Sequence, residues 1–61
     1  MKFVKLTANH GGEKLYVNAD NVFSIEPSED GGSNVYSITI AQGVFVREAP
    51  KEIVAMIESL G

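Results

Sequence analysis

A chain of 61 residues with no cysteine and a single histidine can build neither a disulfide framework nor a thiolate or histidine-rich metal site. Its net charge of −3, from eight acidic and five basic residues, disfavours nucleic acid and anionic lipid as partners, because both demand a local excess of Lys and Arg. A hydrophobic fraction of 44% with 21% charged residues describes one ordinary globular domain over residues 1–61, small enough that self-association is the stabilising supplement left open.

Lys2 to Ala8 alternates around Phe3, Val4, Leu6 and Thr7, which predicts a half-buried strand rather than the apolar run of a signal peptide. Gly11-Gly12 breaks the pattern, since glycine supplies positive φ at little cost. Lys14 to Asn18 resumes it and completes a hairpin. Asn18-Ala19-Asp20-Asn21 reads as a turn built on side chains that mimic backbone bonds. Val22 to Glu26 is a third strand ended by Pro27, and 27–33 is an exposed polar loop. Asn34 to Ile40 is the strongest strand, and Ala41-Gln42-Gly43 is predicted to turn it back into Val44 to Glu48.

The period then lengthens to that of a helix. Pro50 pre-sets φ for a first helical position, Ile53, Val54, Ile57 and Leu60 form the expected apolar stripe, and Gly61 is its expected stop. The fold class is therefore mainly β with one C-terminal helix (α+β). Its order is β-β-β-β-β-α, a small antiparallel sheet of about five strands with room to curl toward a barrel. No apolar run is long enough to span a membrane, and no Asn-x-Ser/Thr acceptor occurs, so the expected setting is the cytoplasm.

In the fourth strand Tyr36, Ile38 and Ile40 share one face while Val35, Ser37 and Thr39 share the other. In the fifth, Val44 and Val46 oppose Phe45. Apolar residues on both faces of a sheet point to a second copy as cover, so a homo-oligomer is expected.

Chemistry is sparse. Set on an EF-hand with Gly31 at the sixth place, the loop offers Glu26, Ser28 and Asp30 but ends at Ser37, where a bidentate Glu is required. His10 stands in a turn without a nucleophile, and Glu26 and Glu48 are explained as strand-end charges. Nucleophile elbows, phosphate loops and dinucleotide fingerprints are absent. No catalytic residue, metal ligand or cofactor site is expected. Tyr16, Tyr36, Arg47 and Phe45 are the candidate contacts for a ligand or partner, through stacking and cation–π surfaces, and Phe23 is assigned to the core.

The order of these features resembles the FlbD family of small flagellar and swarming-motility proteins. The first strand ends in Leu6-Thr7, the glycine turn is Gly11-Gly12, and Val17-Asn18-Ala19-Asp20-Asn21-Val22 leads to Ile25-Glu26. Ile38-Thr39-Ile40, Gly43, Val46-Arg47-Glu48-Ala49 and Glu52-Ile53 follow. Asp30-Gly31-Gly32-Ser33 expands a shorter family turn, and Ala49 stands where the family has a helix-capping Ser. The resemblance implies a non-enzymatic module accessory to motility that transfers no reaction to this chain. The alternative is a small oligomeric phage or mobile-element protein that binds a nucleotide-like ligand or a host protein, in a counter-defence or regulatory role, with Tyr16, Tyr36 and Arg47 as contacts.

Overall fold

The computed structural model of the chain describes residues 2–38 and 40–60, with backbone alone at 40–42. Strand β1 (Phe3–Thr7) pairs antiparallel with β2 (Lys14–Asn18). A 3₁₀ turn (Ala19–Asn21) leads to β3 (Val22–Pro27), β4 (Ser33–Ser37) and β5 (Ile40–Val46), and helix α1 (Pro50–Ser59) follows. The predicted order is the observed one. The predicted single sheet is not: β1-β2 and β3-β4-β5 are two sheets, and the described residues show no barrel closure.

Local chemistry explains the first three connections between strands. Gly11 and Gly12, both at positive φ, let the β1–β2 chain turn while Ala8 N–H donates to Glu13 O at 2.7 Å. Asn18 Oδ1 accepts from Asp20 N–H at 3.0 Å and caps the 3₁₀ turn. Asp30 Oδ1 accepts from Ser28 Oγ at 2.5 Å and from Gly32 N–H at 3.2 Å, holding the β3–β4 loop from within.

Two bulges set which side chains face inward. Val22 pairs with Ser37 and Ser24 with Tyr36, so Phe23 is an extra residue on β3. The bulge places Val22 and Ile25 toward the core, while Phe23 is exposed. The expected core position of Phe23 is thereby overturned. On the other side of β4, Val35 pairs with Val44 and Ser37 already pairs with Ile40. The fourth strand thus ends at Ser37, and the expected turn at 41–43 is part of β5. Gly43, at φ 80°, serves the bulge there, and a Cβ on it would meet Asn34 Oδ1 at 2.4 Å. The expectations for Thr39, Gly61 and the Ile40 side chain lie outside the described residues.

The two sheets share one aliphatic core of Val4, Leu6, Val35, Val46 and Ile53. Helix α1 packs against β1 and β3. Ile53 is buried, and Met56 and Ile57 pack on the same cluster at helical spacing. Val54 and Leu60, expected on that stripe, are exposed, and Met56 takes the inward place.

Besides that core, backbone hydrogen bonds among the described residues tie the sheets together at strand ends. An isolated bridge joins Ala8 to Val46, Asn9 N–H donates to Phe45 O at 3.0 Å, and Arg47 N–H donates to Thr7 O at 2.9 Å. Gly32 lies so close to this seam that a Cβ on it would sit 2.2 Å from Val46 O. That neighbour is backbone and cannot swing aside. Gly32→Ala is expected to lower stability by about 1–3 kcal/mol in urea unfolding.

At the helix start Ala49 has extended geometry (φ −72°, ψ 156°), and its N–H donates to Glu52 Oε1 at 3.1 Å. Only this half of a capping box exists, because Ala49 has no side-chain acceptor to return the bond. Ala49→Ser supplies one and is expected to raise stability by about 1 kcal/mol, read from the same unfolding curves.

Candidate functional site

Residues that pair across strands share a face, so the register assigns the outer surface of each sheet. On β1-β2, Lys5 stands opposite Tyr16 and Phe3 opposite Asn18, all pointing away from Val4 and Leu6. Lys14 ends the same row opposite Thr7. This face is basic and aromatic. On β3-β4-β5, Ser24 pairs with Tyr36, Glu26 with Asn34, and Asn34 with Phe45, opposite to the inward Ile25, Val35 and Val44. The rings of Phe23 and Tyr36 lie 6.3 Å apart, tilted by 35°. The Tyr36 ring also covers Gly43, where a Cβ would come within 3.0 Å of it. Asn34 Nδ2 donates to Tyr36 Oη at 2.9 Å.

Beside these rings lies an open cleft of about 560 Å³. Glu26, Asn34 and Phe45 line it from the sheet, Asn9 and His10 from the β1–β2 turn, and Glu29 and Asp30 from the β3–β4 loop. The Ser28 hydroxyl, then the Gly32 amide and the Asn9 side chain, hold the Asp30 carboxyl below its ordinary range. The cleft is therefore acidic. It suits a cation or an ammonium side chain and opposes a phosphate.

A second constellation lies where the sheets join. The Thr7 N–H donates to Glu48 Oε1 and the Thr7 hydroxyl to Glu48 Oε2, both at 2.9 Å, while Lys14 Nζ donates to Thr7 Oγ1 at 2.9 Å. Ser33 Oγ, fully buried, donates to Glu48 O at 2.7 Å. Burial raises the Glu48 carboxyl, but the two Thr7 bonds and the nearby Lys14 charge outweigh it and leave the group below its ordinary value. Thr7, Ser33 and Glu48 are occupied by one another, so the cluster reads as a structural joint, with the exposed Lys14 at its edge.

The candidate contacts from sequence are distributed over both sheets. Phe45 lines the cleft, and Tyr36 belongs to the same outer face. Tyr16 belongs to the other sheet. The Arg47 guanidinium approaches Asn9 O, with Nε at 3.4 Å, and packs against Gly12. Glu26 lines the cleft while Glu48 serves the joint, so the two carboxylates have separate duties. Phe3, Phe23, Asn9, Asn34 and Glu29 were not singled out as contacts from sequence. The alternation of Phe3 with Val4 carried the signal for the first of them. The bulge that exposes Phe23 has no local signature.

Among the described residues, no group of three or more His, Cys, Asp or Glu side chains is placed to hold a metal ion. No helix there is long and apolar enough to cross a membrane. Comparison of the chain with protein families, with curated proteins and with solved structures finds no match.

The Glu48 joint gives stability a pH dependence. A carboxyl lowered by folding contributes fully above its ordinary value of 4.5 and loses that contribution as pH falls through the lowered one. The melting temperature is expected to decline on acidification across this window. Glu48→Gln is expected to cost about 2 kcal/mol at neutral pH and to flatten the decline, as followed by circular dichroism.

Proposed function

We propose that this chain is a non-enzymatic interaction module that works by self-association through its sheet surfaces, in the accessory manner that its resemblance to FlbD-type proteins implies. One observation carries the reading. The buried core is wholly aliphatic, and none of the three Phe and two Tyr belongs to it. Tyr16 is 67% exposed, Phe23 64%, Phe45 52% and Phe3 49%. Aromatic side chains contribute most to cores and interfaces because each removes a large apolar area from water, and a small domain gives up much stabilisation by leaving them outside. Covering them with a second copy recovers it. A cytoplasmic setting accords with the lack of cysteine.

The second reading, a small oligomeric phage-type protein that binds a nucleotide-like ligand or a host protein, has the cleft in its favour. At about 560 Å³ the cleft falls in the size range of small-molecule sites. Glu26, Glu29 and Asp30 around it weigh against a phosphate and for a cationic group.

Light scattering across a range of concentrations tests the main reading. The mass is expected to rise above 6.6 kDa, and a monomer throughout would overturn it. Mono- and dinucleotides are expected to leave the melting temperature unchanged; a specific rise would move the second reading ahead.

A further inference from the structure

Both outer faces carry aromatic residues, but they differ in charge. The β1-β2 face presents Phe3 and Tyr16 with Lys5 and Lys14. The β3-β4-β5 face presents Phe23, Tyr36 and Phe45, with Glu26, Glu29 and Asp30 around the cleft. Both sheets turn their inner faces to one core, so the outer faces look away from each other and one molecule cannot bring them together.

We propose that copies of this chain dock head to tail, the basic aromatic face of β1-β2 in one copy seating on the acidic aromatic cleft of β3-β4-β5 in the next. The inference rests on the self-associating reading and specifies its geometry. A two-fold interface sets a patch against itself. Formed on the cleft, it would gather the carboxylates of Glu26, Glu29 and Asp30 from both copies; formed on β1-β2, it would oppose Lys5 and Lys14 to their counterparts. Like charges brought together and desolvated cost several kcal/mol, whereas the crossed arrangement pairs opposite signs. In that arrangement the Lys5 ammonium reaches the carboxylates while its aliphatic stem and the Tyr16 ring cover Phe45. A heterologous contact of this kind leaves a free face at each end, so it propagates into a ring or an open chain of copies.

Two surface variants separate this geometry from its rivals. Lys5→Glu/Tyr16→Thr blocks the basic face alone, and Glu26→Gln/Phe45→Thr blocks the cleft alone without creating a new opposite charge for the altered basic face, with threonine keeping strand propensity at exposed positions. Each variant by itself is expected to remain monomeric by sedimentation velocity. Their equimolar mixture is expected to form a 1:1 dimer and nothing larger, since only one complementary junction survives. Either variant associating alone, or no complex in the mixture, would overturn the head-to-tail geometry while leaving self-association of the unaltered chain intact. A monomeric unaltered chain would remove both. Circular dichroism checks that each variant folds; if one does not, Lys5→Glu and Phe45→Thr as single changes carry the same comparison.

Discussion

The structure depends on what Thr7 does with its polar groups. As the last residue of β1 it has N–H, C=O and hydroxyl turned to the chain segment that follows β5, bonding Glu48 twice and Arg47 once. Lys14 from β2 donates to the same hydroxyl. Strand ends that meet at a single bridge leave backbone groups that a longer ladder would satisfy, and an unpaired buried amide is costly. A bidentate carboxylate supplies the missing acceptors in charge-assisted form. Ser33, bonding the Glu48 carbonyl from β4, brings the second sheet to the same point.

That joint decides where the apolar material goes. Holding two short sheets together at one end leaves a narrow interior, filled by Val, Leu and Ile with Met56 at its margin. Aromatic rings are left for the outside, where they pair with each other or cover a glycine, as Tyr36 does with Phe23 and Gly43. The outer surfaces are therefore a product of the same geometry that stabilises the inside.

Features fixed by near neighbours could be read from the residues. Lys14–Asn18 was placed to the residue, as were the Asn18 turn and the Pro50 helix start, because alternation, an Asx bond and a fixed φ are all local. Features set by distant partners could not. Thr7 and Glu48 are 41 positions apart, and nothing in either neighbourhood announces the other. Phe23 reads from sequence as a core residue, but the bulge shifts the alternation and leaves Val22 and Ile25 against the core instead. Gly43 carried a real signal, positive φ, which serves a turn and a bulge equally well. The candidate contacts fared the same way: their aromatic character was legible, their division between two opposed faces was not.

Strand β3 pairs with another strand on one side only, so its other side is an edge of the sheet. Its sequence closes that edge. Phe23 interrupts the hydrogen-bonding rhythm near one end, and Pro27 at the other has no N–H to offer. Contact through side-chain faces and growth through backbone pairing are separate routes by which copies of a chain can meet. These two residues act against the second route at β3 and leave the side-chain faces of the sheet untouched.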